Sequence, residues 1–311
     1  MFPPGMRLAA IAERLFGRLV PASGKGGMDS IMQACGSAGD AGTPLKVLWL
    51  GGMPGAGKST VARRIARRRG LRWYQSDAHT WAHRARAVRA GVPAALRFEA
   101  LTPAERAACP VEERMAMALQ RERGPMTVED VRALPASPLI IAEGTQILPD
   151  MVPAGGSALW LTLSPKQQRV RLERRHAPDP APELYLRMGQ VIAEEVARAG
   201  VPQLVVDELS LDEVVEAVER FFAPALEHGP TASSSGERRA LVRYANRAEV
   251  QRYVDFFARP GSGDFGAAVS TFLCECDRTD CDAMAEMAVA AFPEPPDEES
   301  APCLAPGHTR V

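Results

Sequence analysis

The sequence lacks a long apolar run, and it has almost no net charge. Its 311 residues carry 37 basic and 38 acidic side chains, which gives a formal net charge of −1. A chain this balanced has no overall attraction to nucleic acid or to an anionic membrane, and no run approaches the length that spans a bilayer. The start, from Arg7 to Arg14, is too charged for a signal peptide. We therefore expect a cytoplasmic protein with neither a membrane nor nucleic acid as partner, and its six cysteines reduced.

Asparagine and lysine are also scarce. Asn246 is the single asparagine, and Arg247 follows it. Guanine-specific GTPases read the base with Asn-Lys-x-Asp, so the chain lacks the residues for that recognition. Arginine supplies most of the positive charge, because the lysines are limited to Lys25, Lys46, Lys58 and Lys166. A GTPase is therefore excluded, and the position of Lys58 needs its own explanation.

The most informative segment of the chain runs from Val47 to Thr60. Val47 to Leu50 is an apolar run typical of a buried strand, and Gly52 to Ser59 fit G-x-x-x-x-G-K-[ST], a phosphate-binding loop. Its glycines permit a tight turn in which backbone N–H groups surround a phosphate, and the following helix adds its positive end. Lys58 would contact the β- and γ-phosphates as a compact cation, and Ser59 would hold Mg²⁺. The residues predicted to bind the nucleotide are Gly52, Met53, Pro54, Gly55, Ala56, Gly57, Lys58, Ser59 and Thr60.

Strand and helix patterns alternate from Leu45 to Phe222. Residues 47–50, 71–74, 138–142, 157–163 and 203–206 are the predicted strands. This alternation predicts an α/β fold with a parallel, five-stranded, doubly wound sheet. The predicted parts are a mobile N-terminal extension (1–43), a nucleotide-binding domain (44–228) with a helical insert (78–135), a linker (229–236), a helical and cysteine-containing module (237–291), and a disordered acidic tail (292–311). Within the insert, Thr102 should cap a helix that continues toward Arg123.

Two carboxylates follow predicted strands at the edge of the sheet where ligands bind. Asp77 lies in Gln75-Ser76-Asp77-Ala78-His79 after the second strand, and Glu143-Gly144 follows the third. Acids just beyond the carboxyl ends of parallel strands lie on the ligand side of an open α/β sheet. Asp77 could instead simply cap the next helix, and His79 could be an ordinary surface residue.

The phosphate loop, followed after one helix by strand-Ser-Asp-x-His, resembles the small-molecule P-loop kinases of the gluconate, shikimate and adenylate kinase group. The resemblance covers residues 45–222 in layout, with specific matches at the loop, at Ser76 to His79 and at Glu143-Gly144. It implies ATP and Mg²⁺ as cofactors and transfer of the γ-phosphate to a small-molecule or nucleotide acceptor. It implies that Asp77 is the base or orients the metal shell, that Glu143 meets Mg²⁺ through water, and that His79 binds substrate.

The resemblance also implies an arginine-bearing lid and an acceptor-binding insert. Ser164-Pro165 begins the predicted lid helix, whose arginines are Arg169, Arg171, Arg174 and Arg175. Arg171 and Arg175 share one helical face and are the candidates to close over the phosphates, against the alternative of plain surface charge. In the insert, Arg84 and Arg86 are candidates to face anionic substrate oxygens, or a solvated arginine face.

The C-terminal module contains three thiols in the pattern C-x-C-x₄-C. Cys274, Cys276 and Cys281 could bind a structural Zn²⁺, with Cys303 or His308 as the fourth ligand. The alternative is that these are buried or surface cysteines without a metal. A similar Cys-Glu-Cys segment occurs near the C-terminus of some uncharacterised bacterial proteins. Because small kinases do not need such an appendage, an ATP-dependent switch that acts on a protein partner through the module stays open beside the kinase.

Overall fold

The computed structural model describes residues 19–20, 47–259, 262–293 and 301–309. Its strands are β1 (Leu19–Val20), β2 (Val47–Gly52), β3 (Arg72–Gln75), β4 (Ile140–Glu143), β5 (Ser157–Thr162), β6 (Gln203–Val205), β7 (Val269–Leu273) and β8 (Met284–Ala288). The first six form one sheet in the order β1-β6-β5-β2-β4-β3. Strands β2 to β6 pair in parallel, and β1 joins β6 antiparallel. The predicted five-stranded parallel sheet is confirmed. The predicted N-terminal extension lies outside the described residues except at β1, which adds an edge strand.

The central strands form because they are apolar on both faces. Every residue of β2 and β4 is buried, and Leu48, Leu50, Ile141 and Leu159 are completely inaccessible to solvent. A continuous apolar run of this kind is stable only where helices cover both faces of a sheet. The phosphate-loop sequence therefore emerges from the middle of the core.

Eleven helices are found within the described residues. They are α1 (Lys58–Arg69), α2 (Thr80–Arg89), α3 (Pro93–Ala100), α4 (Pro103–Ala108), α5 (Val111–Met117), α6 (Gln120–Ala133), α7 (Pro165–His176), α8 (Glu183–Ala199), α9 (Leu211–Phe221), α10 (Ala223–His228) and α11 (Ser235–Phe257). Helix α1 packs on β2, β3 and β4, α9 packs on α1, and α8 packs on β2 and α7. Short 3-10 helices lie at Ser76–His79, Pro149–Met151, Phe265–Ala267 and Val289–Ala291.

Helices α2 to α6 form the insert between β3 and β4. Thr102 and Glu105 make the capping box at the start of α4. The prediction of one helix from there toward Arg123 is wrong, because the chain breaks at Cys109-Pro110 and again at Leu119. Proline disfavours a helical conformation in the residue before it, and Leu119 has a left-handed backbone with φ of 57°. Three helices thus replace one, and they surround a cleft.

The C-terminal module is packed against the nucleotide-binding domain. Two backbone hydrogen bonds hold the predicted linker, because Ala232 donates to the carbonyl of Gly70 and Leu139 donates to that of Pro230. The residues 229–236 are therefore part of the fold, although their composition predicted a free linker. The module continues with α11, whose start is capped by Ser234 and Glu237, and with the antiparallel hairpin of β7 and β8.

The predicted disordered tail is also partly wrong. Residues 301–309 pack on the module, where Cys303 is buried and accepts a hydrogen bond at its carbonyl from the backbone of Glu275. The Glu275 carboxylate is buried and paired with Arg243, with an Nε to Oε1 distance of 2.6 Å, and it also accepts from the Cys303 amide at 3.1 Å. A buried carboxylate requires such partners, so the end of the chain completes this small core.

Candidate active site

The phosphate loop ends in a left-handed glycine at the start of α1. Gly57 is the N-terminal cap with φ of 86°, a conformation that L side chains rarely adopt, and a Cβ there would point into open space. Lys58 follows, is 7% exposed, and donates from Nζ to the carbonyl of Met53 at 2.9 Å. This contact draws the lysine back across the loop. The loop and the first turn of α1 thus present backbone N–H groups and one ammonium group together.

Glu143 ends β4 beside the loop and is 1% exposed. Its Oε1 has no hydrogen-bond partner among the described residues. Burial raises the pKa of this carboxyl to about 7, with the charge of Asp77 acting in the same direction and Lys58 and Ser59 opposing it. Burial likewise lowers the pKa of Lys58. Each of the two groups opposes the effect of burial on the pKa of the other.

The glycine after Glu143 is required by close packing. A Cβ on Gly144 would lie 1.9 Å from the Ser76 hydroxyl oxygen. The ends of β3 and β4 therefore approach each other at this point, and only glycine fits. This contact explains why glycine follows Glu143 at the end of β4.

Asp77 lies in the 3-10 turn after β3, with its side chain 61% exposed. Helix α2 begins at Thr80 with His79 as its cap residue, and no side chain caps it. The capping alternative for Asp77 is therefore wrong. Its described ionic neighbour is Arg123, whose Nη2 lies 3.9 Å from Oδ1.

These groups open into one cleft of about 870 Å³. The predicted residues that line it are Pro54, Gly55, Gly57, Lys58, Ser59, Thr60, Asp77, Glu143, Arg171 and Arg175. Gly52, Met53 and Ala56 lie behind this surface, and all three are buried. The structure thus brings the predicted nucleotide and catalytic residues to a single place.

The lid helix α7 contributes two arginines to the cleft. Arg171 donates to the carbonyl of Val206 at 2.6 Å, beyond the end of β6, and Arg175 lies close enough to depress the pKa of Lys58. Leu172 of the same helix packs 3.6 Å from the Cβ position of Gly55. Arg169 and Arg174 are exposed and outside the cleft lining. Helix α7 therefore already lies against the phosphate loop.

Some polar residues of the insert line the cleft, and others pack within the insert or against β3. Arg84 lines the cleft, whereas Arg86 pairs with Asp130 at 2.7 Å. His79 stacks on Tyr74 with ring centroids 4.5 Å apart and does not line the cleft. Burial, chiefly, lowers its pKa to about 4. A neutral imidazole packed on β3 gives no support to the predicted substrate contact of His79.

Several cleft residues were not predicted from the sequence. They are Trp81, Phe98, Arg106, Arg114, Arg123, Tyr185 and Arg252. They come from α2, α3, α4, α5, α6, α8 and α11, and no local spacing connects them. The arginine count of the insert was the only signal, and it could not separate cleft residues from surface residues.

A second cluster lies in the module. The ligand atoms of Cys274, Cys276, Cys281 and His308 all lie within 4.8 Å of one another. His308 Nδ1 is 3.5 Å from the sulfurs of Cys274 and Cys281. The fourth predicted position is therefore His308, since Cys303 belongs to the neighbouring apolar core. Three thiols and an imidazole at this spacing could hold a tetrahedral metal ion.

The cysteine loop is attached to α1, the helix that starts at the phosphate loop. Arg67 donates to the carbonyls of Cys274 at 2.7 Å, Cys276 at 2.6 Å and Arg278 at 2.8 Å. It also approaches the sulfur of Cys276 at 3.3 Å. The guanidinium group of Arg67 thus connects α1 to the module, and Arg64 of the same helix pairs with Asp282 beside the cysteine loop.

Comparisons with known proteins find similarity in fold only. No family model and no curated protein matches the sequence. A gluconokinase from Sinorhizobium meliloti is similar with a TM-score of 0.38 and 19% identity over 59% of this chain and 94% of its own. A shikimate kinase from Acinetobacter baumannii has a TM-score of 0.36 and 16% identity, over 58% of this chain and 94% of its own. A shikimate kinase from Bacteroides thetaiotaomicron has a TM-score of 0.35 and 16% identity, over 57% of this chain and 96% of its own.

Strand order, loop and flanking helices together define the architecture. β2 lies between β5 and β4 in a parallel sheet, and it leads through G-x-x-x-x-G-K-[ST] directly into α1. No helix in the described parts of the chain is long and apolar enough to cross a bilayer. The chain therefore has a parallel α/β fold with a phosphate-binding-loop motif and an appended module that carries a Cys₃His cluster.

Proposed function

We propose that this chain transfers the γ-phosphate of ATP to a hydroxyl or phosphate group of a small-molecule or nucleotide acceptor. The observation that carries the proposal is the single cleft, which the phosphate loop, Asp77, Glu143 and an arginine-rich insert all line. The same cleft is lined by the phosphate loop and by insert residues such as Arg84 and Arg106, which fits a nucleotide and an acceptor bound side by side. Phosphoryl transfer asks mainly for positioning and charge neutralisation, and these groups supply both.

On the nucleotide side, the loop amides and Lys58 hold the β- and γ-phosphates. The lysine is already turned into the loop by its hydrogen bond to Met53, so little ordering remains when phosphate binds. Arg171 and Arg175 of α7 offset the negative charge that develops on the transferred group. Because Arg171 is held by the carbonyl of Val206, the lid is positioned before substrate arrives.

Magnesium fits the donors beside the loop. Glu143 is a buried carboxylate with an oxygen that lacks a protein donor, and Ser59 offers its hydroxyl next to it. Carboxylate and hydroxyl oxygens are the ligands that Mg²⁺ takes together with phosphate oxygens. Ser59 would hold the ion directly, and Glu143 would hold it through water. When bound, the ion neutralises phosphate charge.

On the acceptor side, Asp77 serves as the base. Its carboxylate is exposed to the cleft, makes no cap and lies near Arg123, which can keep it oriented. A carboxylate within hydrogen-bond reach of an acceptor hydroxyl takes its proton as the new bond to phosphorus forms. The proton therefore ends on Asp77, and ADP is the leaving group.

The test is ATP turnover with a panel of hydroxyl-bearing acceptors and nucleotides, including gluconate and shikimate. We expect at least one acceptor to raise ADP formation well above the slow background, and Asp77→Asn to abolish that stimulation. Asp150→Asn is the matched control, because the Asp150 side chain is 59% exposed and lies outside the cleft lining. If no acceptor stimulates turnover while ATP alters binding of a protein partner, the kinase proposal is wrong.

A second candidate is an ATP-dependent switch that acts through the module. Its specific support is Arg67, which connects the phosphate-loop helix with the cysteine loop, so that a change at α1 could reach the module. We favour the kinase because the cleft is lined by the phosphate loop together with Asp77, Glu143 and arginines of the insert. The partner-binding outcome of the acceptor panel separates the two.

For the module, we propose a structural Zn²⁺ held by Cys274, Cys276, Cys281 and His308. Support comes from the spacing of the four ligand atoms and from the burial of all three thiols. Structural zinc sites are closed and four-coordinate, and they stabilise modules whose apolar core is small. The module core is of that kind, since Ala268, Phe272, Ala285, Val289, Phe292 and Cys303 are its buried members.

A further inference from the structure

One wall of the cleft comes from the appended module. Arg252 of α11 lines the same cleft as Lys58 and Asp77, although it follows the nucleotide-binding domain in sequence. Burial lowers the pKa of Arg252, but the hydrogen bond to Glu249 and the charge of Glu249 raise it, and Asp77 adds a smaller effect in the same direction, so that the pKa is raised overall. The module thus reaches the predicted site of reaction.

The module holds Arg252 in a defined position. Its Nε and Nη2 donate to the two carboxylate oxygens of Glu249 at 2.8 and 2.5 Å. Ser270 of β7 donates to the same carboxylate at 2.9 Å. The guanidinium group also lies over the ring of Tyr253, 4.8 Å from its centroid. Hairpin, helix and carboxylate together fix the guanidinium group where a flexible surface arginine would be free to rotate.

Helix α11 is also fixed on the insert. Arg259 pairs with Glu99 at 2.8 Å and lies over the ring of Trp81 at 4.4 Å. Trp81 in turn packs on Phe256, with ring centroids 5.1 Å apart. The wall that carries Arg252 and the wall that carries Trp81 therefore form one unit.

The acceptor side of the cleft has more positive charge than its carboxylates balance. Arg84 is 5% exposed and donates from Nη2 to the carbonyl of Met117, and among the described residues its Nε and Nη1 have no hydrogen-bond partner. Arg106 donates to the carbonyls of Phe98 and Leu101. Both guanidinium groups stack on Phe98, at 3.5 and 4.1 Å from its centroid. Burial lowers the pKa of Arg84 to about 10, and the nearby Glu99 opposes this effect. Among the residues that line the cleft, Asp77 and Glu143 are the carboxylates, and the arginines outnumber them.

We propose that Arg252 is an acceptor-binding residue, and that the acceptor is a small hydroxy compound with an oxyanion group that this arginine cluster binds. The Nε and Nη2 groups of Arg252 are bonded to Glu249, so the acceptor would be bound by the remaining N–H groups of Arg252 together with Arg84 and Arg106. A carboxylate and a phosphate monoester both accept charge-assisted hydrogen bonds from guanidinium N–H groups. The inference rests on the proposed function, since it names what occupies the second compartment of the same cleft. The module is then a part of the substrate site.

The experiment titrates oxyanions into the full chain with the phosphate loop occupied by Mg²⁺ and a non-hydrolysable ATP analogue. Inorganic phosphate and acetate are the probes, chloride is the reference at constant ionic strength, and calorimetry reports binding. We expect phosphate or acetate to bind, and Arg252→Gln to weaken that binding at least tenfold with the analogue affinity unchanged. Arg198→Gln is the matched control, because Arg198 is exposed and outside the cleft lining. Arg252→Lys should restore part of the affinity.

Each outcome is decisive. Equal affinity of the wild type and both glutamine variants, or no oxyanion binding beyond chloride, overturns the role of Arg252. A phosphate response without an acetate response identifies a phosphate-bearing acceptor, and the reverse identifies a carboxylate. If the wild type does not bind the ATP analogue, the proposed function fails, and the titration of nucleotide-free protein still decides the role of Arg252 by the same comparison.

Discussion

Lys58 and Glu143 show how single residues set the chemistry of the cleft. Both are buried beside the phosphate loop. Burial lowers the pKa of Lys58 and raises the pKa of Glu143, so that it favours the neutral form of each group. Neither group is stabilised as an ion by the fold alone. A bound polyphosphate and its metal ion would favour the ionised form of both.

Replacing Lys58 by alanine should remove nucleotide affinity without unfolding the protein. The ammonium group supplies charge-assisted hydrogen bonds to phosphate, and we expect a loss of roughly 100-fold, about 2.7 kcal/mol. The buried Glu143 left behind can take a proton, which limits the cost to stability. Calorimetric titration with ATP and circular dichroism measure the two properties. Lys166→Ala, at an exposed lysine, should change neither, and an unchanged ATP affinity for Lys58→Ala would refute the assignment.

The raised pKa of Glu143 predicts proton release when Mg²⁺ and ATP bind. In the free protein the pKa of Glu143 is about 7, above the ordinary value of 4.5. The contribution of Glu143 to the free energy of unfolding is therefore most favourable below pH 4.5, and it is lost as the pH rises through 7. Metal binding requires the ionised carboxylate, so affinity for Mg²⁺·ATP should fall as pH decreases through 7. Calorimetry near pH 6.5 in buffers of different ionisation enthalpy measures the protons. Glu143→Gln should release fewer, and equal release by both proteins contradicts the prediction.

At the level of elements, the cysteine loop and α1 form a contact that the sequence did not show. Arg67 gives three hydrogen bonds to backbone carbonyls of the loop between β7 and β8. Its neighbour Arg68 is 47% exposed and pairs with Glu219. The two residues have the same charge and adjacent positions, so a comparison of their variants separates the partly buried contacts of Arg67 from a surface ion pair.

Arg67→Gln should lower the stability of the protein, and Arg68→Gln should not. Loss of charge-assisted hydrogen bonds to partly buried carbonyls costs about 1.5–3 kcal/mol, whereas an exposed ion pair contributes about 0–1 kcal/mol. Denaturant unfolding followed by fluorescence measures both variants. The contact is structurally unimportant if the two midpoints shift equally.

The metal proposal predicts about one zinc per chain that chelator washing removes slowly. Cys281→Ser should lose the zinc and lower the unfolding temperature, because structural zinc contributes folding free energy directly. Cys109→Ser is the control, since Cys109 is a free thiol in the insert, outside the cluster. Elemental analysis and thermal unfolding provide the readouts. The metal proposal is wrong if purified wild-type protein contains no zinc and has the same unfolding temperature as Cys281→Ser.

At the level of the whole molecule, the sequence predicted the sheet but not the cleft wall that carries Arg252. Continuous apolar runs such as Val47 to Leu50 identify buried strands on their own, and the loop motif fixes the position of α1. The hairpin was missed because β7 has exposed residues at Val269 and Thr271 and its neighbouring cysteines favoured a metal loop. Arg252 could not be predicted, since only the three-dimensional fold brings α11 to the cleft.

The composition also misjudged how the parts are joined. A Gly- and Ser-rich segment predicts a free linker, yet Ala232 and Pro230 are hydrogen-bonded to the nucleotide-binding domain. Helix α11 then contacts β3 and α2 and continues into the module. Helix α11 thus contacts the core, the insert and the hairpin of the module. The module is therefore packed on the cleft instead of being joined to it by a flexible linker.

A crystal structure with Mg²⁺ and a non-hydrolysable ATP analogue is the most direct test of the central proposal. We predict that the β- and γ-phosphates lie within hydrogen-bond distance of Lys58 Nζ and the amides of residues 55–60, with the γ-phosphate facing the compartment lined by Asp77 and Arg252. A nucleotide bound elsewhere, or a γ-phosphate turned away from that compartment, would contradict it.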